Sequence, residues 1–395
     1  MKYTKRDSVN IATIIIFFLA WPFVTTLVSI FNSVSVATKR FVTVAFSAII
    51  GYNIYCFDVS GDSAHYVEHF IDYLNFGLNL KETFAAGRVD VFTSLSYWLV
   101  GLFTNNPHIL FAFWGALYGL VMFESFRLIS KRKNTLLLSF VFLSLLYFVN
   151  GHGNLGTIRF CLALWYFFYF FIRYLGDFEL QWLFCMFLAP LIHTTFILPC
   201  VITLIYRYSF LHINMLICLM IISFVLGHVL PIGEYLGGLD YLADNENYSK
   251  YVSDNYINSW GDTESRMSFM HRFLMKLPEY SCLAILLIVQ YNIKKCKDTN
   301  PNVFNLYKFV VIMYSFSSLF VGVPNMGRFQ LLSYMVFLFL MYKLFTEKII
   351  RYKKIYMVSL YVIFSSFIYM TFYNLNIRFE HNYLYPVVYL EISSK

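Results

Sequence analysis

Residues 58–103, DVSGDSAHYVEHFIDYLNFGLNLKETFAAGRVDVFTSLSYWLVGLF, set this chain apart from an ordinary bundle of hydrophobic helices. They lie between long apolar runs, start with polar residues, continue as a short amphipathic segment and end in an apolar run at 91–103. That final run is shorter than the roughly 20 residues that a helix needs to cross a bilayer. We therefore expect 58–107 to form an outer loop with amphipathic helices, which turns back towards the bilayer without crossing it.

The composition places this loop in a membrane protein. Of 395 residues, 59% are hydrophobic and 13% are charged, whereas a soluble domain is about 45–50% apolar and about 25% charged. Because lipid offers the backbone no hydrogen bonds and the apolar runs do not alternate, the spans are helices and not barrel strands. We expect an all-α, polytopic membrane protein that forms one integral domain over 1–395. The net charge of +8 reflects basic loops and not nucleic-acid binding.

The number of crossings follows from the apolar runs and from the charges between them. The runs lie at 11–31, 39–57, 108–127, 134–150, 155–175, 179–207, 211–230, 272–292, 303–323, 328–346 and 354–374. Basic loops at 127–133, 294–297 and 348–354 are expected inside, because Lys and Arg keep short loops cytoplasmic. This requires 179–207 to break near His193 and gives about twelve transmembrane helices with both termini outside. The basic N-terminus would then lie outside, although its Lys and Arg residues favour the cytoplasmic side.

The first part of 58–103 has the pattern of a helix that lies in the membrane interface. Its polar side chains share one helical face: Asp62, His65 and His69. Its apolar side chains share the other face: Val67, Phe70, Ile71 and Leu74. Asp62 also suits the N-cap of this helix, a role that does not preclude a functional one. Tyr66 also suits an interfacial anchor, which is the ordinary role of tyrosine at this depth.

Three further polar residues interrupt apolar runs near their outer ends. They are Arg159 in NLGTIRF, His193 in LIHTT and Arg328 in PNMGRF. Each has an ordinary explanation: Arg159 can snorkel, His193 can hydrogen-bond between helices, and Arg328 can anchor at the interface. With Arg88 and Arg272, however, they form an outer set rich in arginine, whose planar fork suits phosphate. This set indicates an anionic ligand at the membrane surface, and a lipid-linked diphosphate fits.

The segment 231–271 is a second outer loop, acidic and rich in aromatic residues. Its large aromatic side chains are Tyr235, Tyr241, Tyr248, Tyr251, Tyr256 and Trp260. Aromatic faces pack on the apolar faces of sugars, and carboxylates accept hydrogen bonds from sugar hydroxyls. The loop is therefore a candidate sugar-binding surface, although an ordinary interfacial loop has a similar composition.

The order of these motifs resembles that of the Wzy/EpsG-type polysaccharide polymerases of bacterial surface-glycan clusters. The matching pieces are Gly61-Asp62-x-x-x-Tyr66-x-x-x-Phe70, Ile158-Arg159-x-x-Leu162-Ala163, His193-Thr194-Thr195 and Gly327-Arg328. The first outer loop, which ends in Gly87-Arg88-x-Asp90, also looks like that of the broader lipid-linked glycosyltransferase superfamily. The chain departs from the family at Phe160, because the family's arginine is often followed by Gln. This departure concerns the acceptor site and not the role of Arg159.

The resemblance implies a glycosyltransferase that polymerises undecaprenyl-diphosphate-linked repeat units into O-antigen, capsule or exopolysaccharide. It implies a multi-pass protein of the bacterial inner membrane that acts at the periplasmic face, with membrane lipid and a chain-length regulator protein as further partners and without nucleic acid. Arg159 and Arg328 would bind diphosphates, and His193 or Asp62 would be the general base. The other substrate-binding residues would be Tyr66, Arg88, Arg272 and Trp260.

Related reactions use a similar site. A glycosyltransferase that adds single sugars from polyprenyl-monophosphate donors would share the outer-loop aspartate, and an O-antigen ligase would share the arginines. A flippase or transporter is less favoured, because the sequence has no internal repeat and its charges lie near helix ends. No cofactor is expected. A divalent ion held by Asp58, Asp62 and Asp90 is an alternative, because carboxylate oxygens are suitable ligands for one.

Overall fold

The computed structural model describes residues 5–31, 35–54, 62–75, 91–130, 136–152, 157–177, 179–208, 212–230, 268–297, 299–321, 328–350 and 353–377. Within these ranges the regular secondary structure is helical and no strand occurs, which confirms the all-α prediction. The chain forms two units. The first unit comprises Met1–Leu143, Asn150–Ile197 and Tyr369–Lys395, and the second comprises Ser144–Val149 and Leu198–Ile368.

The first unit holds the helices up to the middle of the chain. They are α1 (Lys5–Ala20), α2 (Pro22–Phe31), α3 (Val36–Ile54), α4 (Asp62–Asn75), α5 (Val91–Gly101), α6 (Pro107–Ser130), the first part of α7 (Leu136–Val149), α8 (Ile158–Asp177), α9 (Leu180–Met186) and α10 (Ala189–Ile192). The start of α6 shows how the sequence sets a boundary. Asn106 Oδ1 accepts a 2.9 Å hydrogen bond from the backbone N–H of His108, and Pro107 occupies the first helical position, where no N–H is needed.

Helices α3 and α6 pack closely along small residues. Gly51 and Gly115 lie so near each other that a Cβ atom on either would overlap a backbone carbonyl of the opposite helix. Towards the other end of the pair, Arg40 and Arg127 both bind the carboxylate of Glu124, each with an Nη2–O distance of 2.5 Å. Contacting residue numbers rise along one helix as they fall along the other, so the two helices are antiparallel.

Helices α4 and α5 are the described part of the loop 58–107. In α4, Val67 and Phe70 are buried and His65 is exposed, as the amphipathic pattern predicts, whereas Ile71 is 43% exposed. Helix α5 has 11 residues and is about 16 Å long, which is too short to cross a hydrocarbon core of about 30 Å. The location of both helices at the outer membrane face stays a prediction.

The apolar run 179–207 is broken at His193, as predicted. Helix α10 ends just before this residue, a 3₁₀ turn (Thr194–Phe196) follows it, and α11 (Ile197–Tyr208) comes next. His193 itself is extended, with φ −152° and ψ 116°, so the helical hydrogen-bond pattern cannot continue through it. That the two halves cross the membrane separately stays a prediction.

The second unit is built from the later helices. They are most of α11, α12 (Ile213–Val229), α13 (Phe269–Lys295), α14 (Pro301–Leu319), α15 (Arg328–Thr346), α16 (Lys353–Ile363) and the start of α17 (Ser365–Ile377). Helix α14 packs against α12, α13 and α15 and is therefore central to this unit. Asn300 caps α14 by accepting a 3.4 Å hydrogen bond from the backbone N–H of Val303, with Pro301 in the first turn.

Several described helices have the length and composition of membrane spans. Four qualify singly: Pro107–Ser130, Ile158–Gly176, Arg272–Lys295 and Arg328–Thr346. Helices α16 and α17, which meet at a bend of 51°, form a fifth if they are one span. Further apolar helices are shorter: Val91–Gly101, Leu138–Val149, Leu180–Ile192, Thr194–Arg207 and Ile213–Val229. These helices are consistent with a membrane protein, and the total of about twelve crossings stays a prediction.

Candidate active site

The side chain of Arg159 is held in place at the start of α8. Its Nη1 donates a 2.8 Å hydrogen bond to Thr93 Oγ1 on α5. The guanidinium carbon lies 4.3 Å from the centroid of the Tyr66 ring on α4, which is cation–π geometry. Arg159 and Tyr66 are both half-buried, so the guanidinium is partly withdrawn from solvent. Three helices thus fix the position of one positive charge.

An aromatic cluster supports Tyr66 from behind. Trp114 of α6 meets the Tyr66 ring edge-on, with centroids 5.4 Å apart and planes at 85°. Tyr97 of α5 donates a 3.2 Å hydrogen bond to the backbone carbonyl of Tyr66. Trp114 is itself oriented by a 2.9 Å hydrogen bond from its Nε1 to Ser96 Oγ. Because Trp114 and Tyr97 are buried, this support is rigid, and the ring under the arginine has little freedom to move.

His193 lies next to the turn that carries Arg159. Its ring packs edge-on against Phe160, with centroids 5.5 Å apart and planes at 87°. Its Nδ1 is 2.8 Å from Thr195 Oγ1, so the two form a hydrogen bond. Helix α10, which ends one residue before His193, also packs against α5, the helix of Thr93. The structure therefore brings three of the predicted residues, Tyr66, Arg159 and His193, to one cluster of helices.

The remaining predicted residues of the first outer loop are only partly described. Asp62 is the first residue of α4 and precedes Tyr66 by one helical turn. Arg88, Asp58 and Asp90 lie outside the described residues. Among the residues that the structure describes, no group of three or more His, Cys, Asp and Glu side chains could hold a metal ion.

Arg272 and Arg328 belong to the second unit. Arg272 is exposed in the first turn of α13, and Arg328 is half-buried at the first residue of α15. Helices α13 and α15 pack against each other within this unit. Trp260, in the acidic and aromatic loop, lies outside the described residues.

Two polar features, one in each unit, were not predicted from the sequence. Thr93 holds Arg159, and its only signal was a pair of hydroxyl residues, Thr93 and Ser96, three positions apart in an apolar run. The second feature is a pair formed by His228, which is exposed, and the buried Glu279, with Nε2 and Oε2 3.4 Å apart. The carboxylate of Glu279 within an apolar run was the signal for that pair.

Comparisons with known proteins agree with the resemblance drawn from the motifs. The EpsG family profile matches residues 36–386, which includes Asp62, Arg159, His193 and Arg328. No curated protein and no solved structure matches the chain. Membership of this family suggests a role in polysaccharide polymerisation and, with the apolar helices, a multi-pass membrane protein. Because the match spans most of its length, this chain belongs to the EpsG family, the Wzy/EpsG-type polymerases expected from its motifs.

Proposed function

We propose that this protein polymerises oligosaccharide repeat units linked to undecaprenyl diphosphate into a surface polysaccharide. The growing glycan on its lipid diphosphate is the donor, and one repeat unit on the same kind of lipid is the acceptor. The reaction takes place at the outer face of the bacterial inner membrane. The observation that carries the proposal is the half-buried Arg159 guanidinium, held by Thr93 and Tyr66 in a chain of this family.

The proposed reaction depends on a cation that stabilises the leaving diphosphate. A hydroxyl oxygen of the acceptor sugar attacks the anomeric carbon of the donor, and the bond from that carbon to the diphosphate oxygen breaks. The electron pair of that bond leaves with the undecaprenyl diphosphate, so negative charge develops on the phosphate oxygens. A guanidinium already fixed in position stabilises this charge without reorganising during the reaction. Arg159 is the residue to which we assign this role.

The proton of the acceptor hydroxyl must also be removed. His193 is suitable, because it lies beside Phe160, the residue after Arg159. In the tautomer whose Nδ1 donates to Thr195 Oγ1, the Nε2 atom carries the lone pair that a general base needs. Asp62, one turn before Tyr66, is the second candidate for this role. We assign Tyr66, Arg88, Arg272 and Trp260 to substrate binding and Arg328 to a diphosphate.

The first test is the surface glycan of a strain that lacks the protein. We expect the ladder of long chains to disappear on a gel, with one repeat unit still attached to the lipid core. Loss of all surface glycan, with lipid-linked units accumulating inside, would indicate a flippase instead. Polymerised glycan retained on undecaprenyl diphosphate would indicate a ligase, and a shortened repeat unit would indicate a single-sugar transferase.

The second test is the substitution Arg159→Ala. We expect it to abolish long chains while the amount of protein in the membrane is unchanged on an immunoblot. Arg173 is a matched control, because it lies near the opposite end of the same helix, between the Tyr169 and Trp182 rings. Arg173→Ala is expected to keep the ladder. Normal chain lengths in Arg159→Ala would refute the assignment of this arginine.

A further inference from the structure

The second unit has a basic end, where α13 finishes, α14 begins and α15 finishes. A tight turn joins α13 to α14, and in it the backbone N–H of Asn300 donates a 2.8 Å hydrogen bond to the carbonyl of Cys296. Where α14 and α15 touch, contacting residue numbers rise along one helix as they fall along the other. The two helices are therefore antiparallel, and the last turn of α15 lies beside the first turns of α14.

Lysines dominate the charge of this basic end. The described lysines are Lys294, Lys295, Lys297, Lys308 and Lys343. The acidic residue Glu347 follows α15 directly and is exposed, and Asp298 lies outside the described residues. The end opposite to Arg272 and Arg328 is thus strongly basic as well, and the proposed reaction gives its lysines no role.

Lys308 is the member of this set that is withdrawn from water. It is half-buried, seven residues after Pro301, and so about 10 Å along α14 from its start. The hydroxyl of its neighbour Tyr307 donates a 2.8 Å hydrogen bond to the carbonyl of Leu286, well before the end of α13. Because side chains tilt towards the start of their helix, the Lys308 side chain points back towards the turn that carries Lys297. The charge of Lys297 acts on that of Lys308.

Two ammonium groups that lie close together require an anion. Like charges repel, and the repulsion grows when one of them is partly withdrawn from solvent. Among the residues that the structure describes, no carboxylate pairs with Lys308. Snorkelling explains a lone lysine in an apolar helix, but it would carry Lys308 to water and not towards a second lysine. The pair Lys297 and Lys308 therefore has the chemistry of an anion site.

The exposed face of α13 indicates the depth at which this pair lies. Ile288 is 61% exposed and Tyr291, one turn later, is 67% exposed. Lys294 and Lys295 follow in the last turn, with Lys295 Nζ 4.1 Å from the centroid of the Tyr291 ring. A change from apolar to aromatic to basic side chains is typical of the boundary between the membrane interior and its headgroups. Lys297 comes next along the chain, at the depth of lipid phosphates.

We propose that Lys297 and Lys308 form a binding site for the phosphate group of an anionic phospholipid. The other lysines of the basic end attract the same headgroup from around the pair. A phosphodiester that accepts hydrogen bonds from both ammonium groups removes their repulsion. The basic loop 294–297 is expected inside, so the lipid belongs to the inner leaflet. This site goes beyond the proposed reaction and does not depend on it.

Thermal stability measures binding to this site without requiring turnover. Dihexanoyl phosphatidylglycerol, a short-chain anionic phospholipid, is titrated into the detergent-purified full chain. A ligand of the folded protein raises the thermal midpoint as its concentration rises. We expect a saturable rise, and an apparent affinity about tenfold weaker in Lys308→Gln and in Lys297→Gln. Lys308→Arg keeps the charge and should retain the affinity.

Lys294→Gln is the matched control, because it removes one charge from the same basic end at an exposed position. Its affinity for the lipid should stay within about twofold, because exposed charges are screened by salt. Lys276→Gln removes a half-buried lysine from the other end of α13 and should bind normally. Each variant is compared with itself without lipid, so a substitution that merely lowers stability does not imitate lost binding. Equal weakening in Lys294→Gln and Lys308→Gln would indicate diffuse attraction and overturn the site.

Two further ligands identify what the site recognises. Dihexanoyl phosphatidylcholine has the same chains and a phosphate but no net charge, and we expect it to give a much smaller rise. An equal rise would assign the effect to the acyl chains and overturn an anion site. Inorganic phosphate carries the anion without the lipid. An equal rise with inorganic phosphate, lost in Lys308→Gln, would assign the pair to a free anion and overturn the phospholipid.

Discussion

Thr93 Oγ1 accepts a 2.8 Å hydrogen bond from Nη1 of Arg159, so the first turn of α5 holds the first turn of α8. These residues are 66 positions apart in the chain. An arginine side chain otherwise loses about 2 kcal/mol of rotamer entropy when it is fixed in one position. The hydrogen bond and the Tyr66 ring already fix the Arg159 side chain before substrate binds. The loss of rotamer entropy therefore does not weaken substrate binding.

Thr93→Val should slow polymerisation while leaving the fold intact. The substitution keeps the shape of the side chain but removes the oxygen that accepts from Arg159. We expect a rate about 10- to 150-fold lower, because hydrogen bonds to charged groups contribute about 1.5–3 kcal/mol. The measurement is polymer length against time in membranes supplied with lipid-linked repeat units. Thr93→Ser retains the hydroxyl and should restore most of the rate, and equal loss in both variants would argue against this role.

Tyr66 is expected to act through its ring and not through its hydroxyl. The guanidinium lies over the ring face, and the cation–π attraction does not require the phenolic oxygen. Tyr66→Leu should therefore lower the polymerisation rate by about 3- to 10-fold, whereas Tyr66→Phe should stay within about twofold. The same membrane assay measures both. A Phe variant as slow as the Leu variant would assign the effect to the hydroxyl instead.

His152 is a buried histidine with a defined tautomer. It lies in the connection from α7 to α8 and is 1% exposed. Its Nε2 is 2.7 Å from Ser47 Oγ. Ser47 already donates its proton to the Thr43 carbonyl at 2.8 Å, so it accepts from His152 and the proton is on Nε2. Burial lowers the pKa of His152 from its ordinary value of 6.5 to about 3.

This burial predicts that the protein loses stability in acid. Between about pH 6.5 and 3 the unfolded chain binds a proton at His152 that the folded chain does not, so lowering the pH favours unfolding. We expect the thermal midpoint in detergent to be lower at pH 5 than at pH 7.5. His152→Gln, whose amide can donate to Ser47, should show a smaller fall. An identical fall in both proteins would show that other groups cause it.

Features that depend on nearby residues were predictable from the sequence. The break at His193 followed from an apolar run too long for one helix, and the short helix α5 followed from a run too short to cross. The position of Arg159 near the start of α8 followed from its place near one end of the apolar run 155–175. In each case run length and polarity along the chain were sufficient, because helical hydrogen bonds are local.

Contacts between distant segments were not predictable in this way. Nothing in the sequence pairs Thr93 with Arg159, or His228 with Glu279, because helix periodicity determines which face is apolar and not which helix covers it. The number of crossings and the sidedness of the loops were inferred from loop charges, and both stay predictions.

Close packing of α3 on α6 leads to the last prediction, which concerns stability. A Cβ atom on Gly115 would overlap the Ser47 carbonyl oxygen and lie 3.2 Å from the Gly51 Cα atom. Since these are backbone atoms of α3 that cannot rotate away, Gly115→Ala must push the helices apart. We expect a loss of about 1–3 kcal/mol in unfolding free energy, seen as a lower thermal midpoint in detergent.

Gly176, in the last turn of α8, is the matched control for Gly115. A Cβ atom there would have no atom within 4 Å apart from its chain neighbours and the backbone of its own helix, so Gly176→Ala adds helix propensity without a clash. Its thermal midpoint should equal or slightly exceed that of the unmodified protein. Because α6 carries Trp114 behind Tyr66, Gly115→Ala should also lower polymerisation, whereas Gly176→Ala should not. Equal midpoints for the two variants would contradict the close approach of α3 and α6.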